Sequence, residues 1–256
     1  MDEAHRQREY GVRFDWGLQG ALAVAADVDI AVVVDVLSFT TTVSVALDAG
    51  TAVLPYRWDD EHTAAFAAEH GAALAGPRSV AGPGAISLSP ASFRVAPVPA
   101  RVVLPSPNGS TIAHHLGSGS ALCVAASLRN AAAVARWVRG RQLEAVITVA
   151  VIAAGERWSD GSLRPAVEDL WGAGAVISGL ADGTRRLSPE AELAVAGYEA
   201  VRDTLPTSLR ACASGRELIT RGFQEDVDIA AEVGQSAVVP VLRGYQFVAE
   251  SPGGAT

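Results

Sequence analysis

The sequence predicts a single α/β domain, residues 1–256, built on a mostly parallel sheet with flanking helices. Apolar segments of strand length alternate along the chain with amphipathic, alanine-rich segments, which is the pattern of strands joined by crossover helices. The chain has 256 residues, of which 49% are hydrophobic. This length is enough for one large core and is typical of one α/β domain.

Five apolar segments have the length and composition of buried strands. They are Ile30–Val34 and residues 52–54, 101–104, 121–125 and 145–153. Two further short strands are predicted near the C-terminus, at residues 237–241 and 246–248. Turn residues and a helical pattern follow most of these segments, as a parallel sheet requires.

Three helices are predicted with recognisable ends. Residues 59–70 begin with acids and are followed by a glycine, residues 130–138 have a similar pattern, and residues 188–203 start with Ser-Pro-Glu. Residues 76–100 are rich in Pro, Gly and Ser without a sustained period. A loop of that length inside a domain is usually functional or mobile.

The charge pattern excludes several classes of function. The formal net charge is −8 and the pI is about 5.1, which argues against a nucleic-acid partner because phosphate backbones require a basic surface. All 20 basic residues are arginine, so a Walker lysine, a pyridoxal Schiff base and lysine-based catalysis are excluded. An anion must therefore be held by arginine, a metal ion or backbone N–H groups.

The sequence also predicts a cytoplasmic protein without a membrane partner. No apolar segment approaches the roughly eighteen residues of a membrane helix, and the charged residues 1–14 lack the apolar core of a signal peptide. Cys123 and Cys212 lie far apart without CxxC spacing, so we expect two buried thiols.

The most informative local feature is an apolar strand that ends in an acid and continues into a hydroxyl-rich helix start. Asp35 ends the strand, and Thr40, Thr41 and Thr42 follow it. Ligands bind at this edge of open α/β sheets. Asp35 is therefore a candidate ligand of a hard cation, and the threonine hydroxyls are candidates for holding phosphate oxygens. An ordinary acid followed by a threonine N-cap is the alternative.

The strand at residues 101–104 leads into a second candidate anion site. Asn108 and Gly109 tolerate positive φ, so successive amides can form a concavity together with the hydroxyls of Ser110 and Thr111. A simple Asn-Gly turn is the alternative.

Acids and arginines crowd the region after the strand at residues 145–153. Glu168 and Asp169 are candidate magnesium ligands or water-positioning groups, and Arg157 or Arg164 can offset phosphate charge. The alternative is that the two acids stabilise the N-terminus of a helix that starts after Pro165.

One further motif is interpreted as structural. The segment from Cys123 to Arg129 has the spacing of thiol phosphatases, but its cysteine lies within a predicted strand and no glycine shapes a phosphate cradle. We therefore interpret Cys123 as a core residue.

The order of these segments resembles the 2-phosphosulfolactate phosphatase family over nearly the whole chain. The matching segments are Val34-Asp35-Val-Leu with Thr40-Thr41-Thr42, Pro55, Ser89-Pro90, Asn108-Gly109-Ser110, Arg129-Asn130-Ala131, Ala154-Gly155, Glu168-Asp169 with Ala173-Gly174-Ala175, Ser214-Gly215-Arg216-Glu217-Leu218, Gly222-Phe223 with Glu225-Asp226-Val227, and Val239-Pro240-Val241. So many motifs in one order are not expected by chance.

The resemblance implies a 2-phosphosulfolactate phosphatase-like fold, a Mg²⁺ requirement and hydrolysis of a sulfonated 2-hydroxy acid phosphate, as in coenzyme M biosynthesis. It also adds Arg129 and Asn130 to the candidate phosphate-binding residues. Three positions depart from the family: Ser38 replaces an Arg, Pro77 replaces a Glu, and residues 105–107 replace threonines. A missing guanidinium removes a charge-assisted contact, commonly about 1.5–3 kcal/mol.

We expect magnesium-assisted attack of water on phosphorus, with the catalytic and metal-binding carboxylates drawn from Asp35, Glu168 and Asp169. The predicted substrate is a small anionic phosphate ester held by residues 40–42, residues 108–110 and the candidate arginines. A covalent route through Asp35 and a non-catalytic, small-anion-binding descendant of the family remain alternatives. A homo-oligomer is compatible with the sequence, which does not determine the oligomeric state.

Overall fold

A nine-stranded sheet forms the centre of the protein, whose computed structural model describes residues 2–58, 61–78, 85–95, 97–141 and 147–251. Its strands are β1 (Val12–Trp16), β2 (Ile30–Val34), β3 (Ala52–Arg57), β4 (Ala73–Leu74), β5 (Arg101–Ser106), β6 (Leu122–Ala126), β7 (Val149–Ala153), β10 (Val239–Arg243) and β11 (Gln246–Glu250). A separate two-stranded ribbon consists of β8 (Glu156–Arg157) and β9 (Leu163–Arg164).

Helices cover the sheet. They are α1 (Gly17–Val24), α2 (Phe39–Asp48), α3 (Thr63–Glu69), α4 (Ser92–Val95), α5 (Gly109–Leu116), α6 (Ala131–Gly140), α7 (Val167–Leu180), α8 (Pro189–Glu199), α9 (Leu205–Ala211), α10 (Ala213–Thr220) and α11 (Gln224–Ala230), with 3₁₀ turns at Glu3–Arg6 and Arg202–Thr204. None of the described helices is long and apolar enough to cross a membrane.

The strand order is β1-β7-β2-β6-β10-β11-β3-β5-β4. The first four strands are parallel to one another, and so are the last three. The antiparallel hairpin of β10 and β11 lies between these two parallel blocks. The prediction of a mostly parallel sheet with flanking helices is confirmed.

The predicted strands are present, with small changes at their ends. The predicted strand Ile30–Val34 is β2 without change, and β6 lies one position after the predicted segment 121–125. The strands β3 and β5 are longer than the predicted segments 52–54 and 101–104. The two predicted C-terminal strands form the β10–β11 hairpin. In the predicted segment 145–153 the described strand begins at Val149, and residues 145–146 lie outside the described part of the chain.

The predicted helices are also present. Residues 130–138 correspond to α6, and residues 188–203 to α8, where the Ser188 side chain accepts a hydrogen bond from the N–H of Ala191. The segment 59–70 is helical from Thr63, and residues 59–60 lie outside the described range. The long segment 76–100 contains α4, and residues 79–84 and 96 are not among those described.

The sequence analysis missed β1 because this edge strand carries charged residues. Arg13 is nevertheless 3% exposed, and its Nη1 lies 2.6 Å from Oδ1 of Asp27. The ion pair allows the charged Arg13 to be buried in the strand. A charged residue at a buried position interrupts the apolar pattern by which a strand is predicted from sequence.

β2 lies inside the sheet and all five of its residues are buried, so its side chains pack on both faces. Val32 and Val34 belong to the core cluster beneath α6 and α7, whereas Ala31 and Val33 belong to the cluster beneath α1, α2 and α5. A helix on each face explains why the strand has an unbroken apolar sequence.

Gly172 lets α7 approach β2 closely. A Cβ atom at this position would lie 2.7 Å from side-chain atoms of both Val34 and Val36. The close packing brings the first turn of α7 to the carboxyl end of β2.

Candidate active site

Three buried carboxylates meet where β2 ends and α7 begins. Asp35 follows β2 directly, and Glu168 and Asp169 occupy the first turn of α7. Their exposed fractions are 6%, 2% and 3%. The structure therefore brings together all three acids that the sequence analysis selected, and their catalytic and metal-binding roles remain predictions.

Backbone amides hold both oxygens of Asp35. Its Oδ1 accepts the N–H of Phe39 at 3.1 Å, and its Oδ2 accepts the N–H of Gly109 at 2.8 Å. Phe39 starts α2 and Gly109 starts α5, so this one side chain joins the ends of two strands and the starts of two helices. The carboxylate is consequently fixed in position.

Asp169 is held in the same manner from the other side. Its Oδ1 accepts the N–H of Val36 at 2.7 Å, and its Oδ2 accepts the N–H of Gly155 at 2.8 Å. Gly155 has a φ of +67°, and a Cβ there would lie 2.7 Å from Leu163, so glycine is needed at this turn. The turns after β2 and β7 thus converge on one acid.

Asp35 and Asp169 have raised pKa values. Burial is the largest cause and raises the pKa of Asp35 to about 6, although the hydrogen bonds from Gly109 and Phe39 oppose it and the charge of Glu168 adds to it. Burial, followed by the charges of Asp35 and Glu168, holds the pKa of Asp169 well above its usual value. The carboxylates therefore repel one another in a weakly solvated site.

A fourth acid, Glu156, belongs to the same group and was not selected as a site residue from the sequence. Its Oε2 accepts a hydrogen bond from Nδ2 of Asn108 at 2.9 Å. Burial, and next the charge of Asp35, raises the pKa of Glu156 to about 7. Its position just after β7 was the available signal, because the acids at the ends of neighbouring parallel strands meet at one edge.

Arg78 is the cation next to these acids, and it too was missed as a site residue. Its Nη2 donates to Oγ of Ser38 at 2.8 Å, and its Nε lies 3.0 Å from Oδ2 of Asp226. Burial lowers the pKa of Arg78, whereas the charges of Asp226 and Asp35 raise it. Arg78 comes from the long loop after α3, whose sequence pattern gave no indication of where the side chain would lie.

The three threonines do not have the predicted phosphate-binding geometry. Thr40, Thr41 and Thr42 are fully buried, and their hydroxyls donate to the backbone carbonyls of Asp35, Val36 and Leu88 at 2.8 Å each. A hydroxyl that has donated its hydrogen to a carbonyl has none left for a phosphate oxygen. The threonines instead fix the turn that carries Asp35.

The Asn108–Ser110 turn is also committed to the protein. Asn108 donates to Glu156, Gly109 donates to Asp35, and the Ser110 hydroxyl lies 2.8 Å from the carbonyls of both Tyr56 and Leu104. These groups therefore have partners within the protein, and their predicted role in binding an anion remains a prediction. They position carboxylates and tie β3 to β5.

Arg129 and Asn130 lie away from the carboxylates. The Arg129 guanidinium contacts Ser44 at 2.8 Å, Asp48 at 3.1 Å and Glu232 at 3.2 Å, beside the middle and end of α2. Asp35 precedes the opposite end of that helix. The Asn130 side chain accepts from a backbone N–H and donates to a backbone carbonyl. The contacts of both residues are thus structural in this arrangement, and their phosphate-binding role remains a prediction.

Arg157 is an exposed residue at the edge of the site. Its Nη2 donates to the carbonyl of Pro107 at 3.0 Å. Together with Asn108 and Glu156 it lines a cavity of about 220 Å³. Its predicted role in offsetting phosphate charge is compatible with this position and remains a prediction.

The two thiols are buried, as expected. Burial raises the pKa of Cys123 to about 12, and burial followed by the charge of Glu168 raises that of Cys212 to about 12. A thiolate nucleophile requires a lowered pKa, so the structure supports the interpretation of Cys123 as a core residue.

The chemistry of the acids fits a magnesium ion bound by few protein ligands. Within the described part of the chain, no group of three or more His, Cys, Asp or Glu side chains is arranged to hold a metal. Magnesium commonly takes one or two carboxylates and completes its octahedron with water and substrate phosphate. Asp35, Glu168 and Asp169 offer oxygen donors, and the negative charge of Glu168 contributes to the raised pKa values of Asp35 and Asp169. A bound cation would offset this repulsion.

Comparison with known proteins identifies the family of this chain. A family model described as 2-phosphosulpholactate phosphatase matches residues 21–244. A protein of Thermus thermophilus named probable 2-phosphosulfolactate phosphatase is 35% identical over 221 residues, covering 84% of this chain and 89% of the relative. A protein of the same name from Deinococcus radiodurans is 32% identical over 224 residues, covering 84% of this chain and 88% of the relative. Another from Thermotoga petrophila is 28% identical over 222 residues, covering 85% of this chain and 91% of the relative. The chain belongs to the 2-phosphosulfolactate phosphatase family.

Proposed function

We propose that this protein is a magnesium-dependent phosphatase that hydrolyses a small phosphate ester, similar to 2-phosphosulfolactate, to the 2-hydroxy acid and phosphate. Family membership makes the chain an enzyme of the phosphoric monoester hydrolase class. The metal requirement, the substrate and the roles of individual residues belong to the proposal. We also place the enzyme in the cytoplasm, because its two free, buried thiols suit a reducing compartment.

One observation carries this function: four acids converge at the carboxyl ends of β2 and β7, and the pKa values of three of them are raised. A protein that only stabilised its fold would gain little from burying so many like charges. Perturbed carboxylates grouped at a sheet edge are typical of active sites.

One or two carboxylates drawn from Asp35, Glu168 and Asp169 would hold the magnesium ion, which would take its other ligands from water and the substrate phosphate. When bound, the ion neutralises phosphate oxygens and lowers the pKa of a coordinated water. The backbone bonds to Asp35 and Asp169 keep these side chains in place, so they lose little conformational entropy when a cation and a substrate bind.

The remaining steps use groups of the chain itself. Arg78 binds an anionic group of the substrate, and its partial burial next to Asp226 strengthens that interaction. Glu156, whose Oε2 is held by Asn108, delivers a proton from Oε1 to the alcohol oxygen as the P–O bond breaks. A pKa of about 7 suits this proton transfer near neutral pH.

The geometry favours direct attack of water over a covalent route through Asp35. Each oxygen of Asp35 already accepts a backbone N–H, and these bonds make the carboxylate a weaker nucleophile. Water adds to phosphorus, the ester P–O bond breaks, and the products are inorganic phosphate and the free hydroxy acid.

Phosphate release from 2-phosphosulfolactate tests this function directly. We expect release with magnesium and at least a hundredfold slower release in excess chelator, restored by added magnesium. A thermal-shift titration provides a readout besides activity, because an ion that binds the folded state raises its melting temperature. Undiminished turnover in chelator, or no thermal shift at millimolar magnesium, would contradict the metal requirement.

A further inference from the structure

A cavity of about 660 Å³ is lined by Arg78, the arginine beside the carboxylates, and most of its wall is apolar. Trp58, Leu74, Leu88, Leu218 and Phe223 line it. Trp58 and Leu74 are 47% and 43% exposed, an unusual state for large apolar side chains that lie together. Cavities of roughly 300–1,000 Å³ accommodate ligands of drug size, so this one exceeds the needs of a three-carbon acid.

Two residues, Arg78 and Pro107, connect this cavity with the acids. Arg78 lines the cavity and also donates to Ser38, three residues after Asp35. Pro107 lines the cavity from the other side and precedes Asn108, which holds Glu156. A molecule whose phosphate lies at the carboxylates would therefore have its organic part next to the apolar wall.

The cavity has the charge distribution of a site for an amphipathic anion. Arg78 lies at the end near the acids, and Arg221 and Glu61 also line the cavity. The faces contributed by Leu74, Leu218 and Phe223 carry no charge. An anionic group bound to Arg78 would leave an apolar group to pack on these side chains.

We propose, building on the phosphatase function above, that the site also accepts phosphate esters of 2-hydroxy acids with a large apolar side chain, such as an aryl group, and prefers them to 2-phospholactate. The aryl group fills the cavity of Trp58, Leu74 and Phe223, and Arg78 binds the carboxylate. The reaction is unchanged: water adds to phosphorus, the ester P–O bond breaks, and the hydroxy acid leaves with a proton.

Two esters that differ by one phenyl group test this proposal. They are 2-phospholactate and 2-phospho-3-phenyllactate, which share the phosphate, the carboxylate and the carbon that carries the ester oxygen. We expect kcat/KM with magnesium to be at least about tenfold higher for the phenyl ester, since burial of a phenyl group strengthens binding by that order or more. Equal or faster hydrolysis of phospholactate would overturn the proposal while leaving the phosphatase function intact.

Variants separate the cavity from a general effect on the enzyme. Leu74→Ala should lower kcat/KM for the phenyl ester at least threefold more than for the lactate ester. Leu193→Ala on α8, where the side chain is 65% exposed, is the matched control and should keep the parental ratio. An unchanged ratio in Leu74→Ala and in Trp58→Ala would overturn the assignment of the cavity.

If neither ester is hydrolysed, binding decides the cavity by itself, and phosphate release from 2-phosphosulfolactate decides the phosphatase function separately. Calorimetry with benzylphosphonate and methylphosphonate makes the comparison without turnover. Tighter binding of benzylphosphonate by tenfold or more supports an aryl-binding cavity, and equal affinities overturn it.

Discussion

Gly109 donates its backbone N–H to Oδ2 of Asp35 over 2.8 Å, and this bond ties the loop after β5 to the acid that ends β2. A Cβ at Gly109 would lie 2.6 Å from the same oxygen and 2.8 Å from a ring carbon of Phe39. Any side chain at this position must therefore displace the carboxylate. The glycine thus sets the position of Asp35 without taking part in the chemistry.

Gly109→Ala should lower kcat/KM roughly a hundredfold while the protein remains folded, because a displacement of about 1 Å at a catalytic group has an effect of that size. Gly197→Ala in α8 is the control, since its Cβ would meet only the flexible Leu170 side chain, at 3.2 Å. Parental activity in a folded Gly109→Ala protein would show that the position of Asp35 is not critical.

Glu156→Gln should stabilise the metal-free protein at pH 8 and not at pH 4.5. Folding raises the pKa of Glu156 from 4.5 to about 7, so its contribution to stability is fully present below pH 4.5 and is lost as the pH rises through 7. The neutral amide avoids this loss, which is on the order of 1–3 kcal/mol, or several degrees of melting temperature.

Melting curves from pH 4.5 to 8 in chelator provide this measurement, with the exposed Glu69→Gln as the control. A gain of equal size at every pH would contradict the pKa assignment. Turnover of Glu156→Gln should fall at least a hundredfold if Oε1 delivers the proton.

Arg78→Lys should raise KM for the phosphate ester about tenfold and change kcat less, because an ammonium group cannot keep the contacts to Ser38 and Asp226 while binding an anion. Steady-state kinetics compare KM and kcat of Arg78→Lys with those of the parent. The surface substitution Arg101→Lys is the control. An unchanged KM would remove Arg78 from the substrate site.

Cys123→Ser should keep turnover within a few-fold of the parent. The thiol is buried in β6 and its pKa is raised to about 12, so it supplies no thiolate near neutral pH. The hydroxyl should lower the melting temperature by a few degrees, because a buried polar group replaces an apolar one. A thousandfold loss of turnover in a folded protein would indicate a thiol mechanism.

Much of the fold could be predicted because the pattern of apolar residues determines it. Ile30–Val34 is apolar without interruption since helices cover both faces of β2. β1 escaped prediction because Arg13 is neutralised by Asp27, a contact between segments that the local pattern does not contain. Strand ends also moved where pairing continued beyond the apolar segment, as in β3 and β5.

The candidate site could be predicted only in part for a similar reason. Asp35 and the Glu168-Asp169 pair were found from their place after a strand and in a first helical turn. Tertiary partners decide whether a hydroxyl or a guanidinium is free to bind a ligand, and the sequence does not show these partners. Thr40 and Arg129, which were candidate ligands, have hydrogen-bond partners within the protein. Arg78 reaches the acids from a loop without a helical or strand pattern, so the sequence did not indicate that its side chain lies beside them.

Turnover of Asp35→Asn on an ester that the parent hydrolyses is the most direct test of the central claim that Asp35 is part of the magnesium site. Asn keeps one acceptor oxygen for the N–H of Phe39 or Gly109, but its NH₂ group cannot accept from the other. The lost hydrogen bond lowers stability modestly, and removal of a buried charge offsets this loss. The variant should therefore stay folded. We predict that kcat falls a hundredfold or more and that magnesium no longer raises the melting temperature. Near-parental turnover with an unchanged magnesium shift would contradict the account and leave Glu168 and Asp169 as the metal ligands.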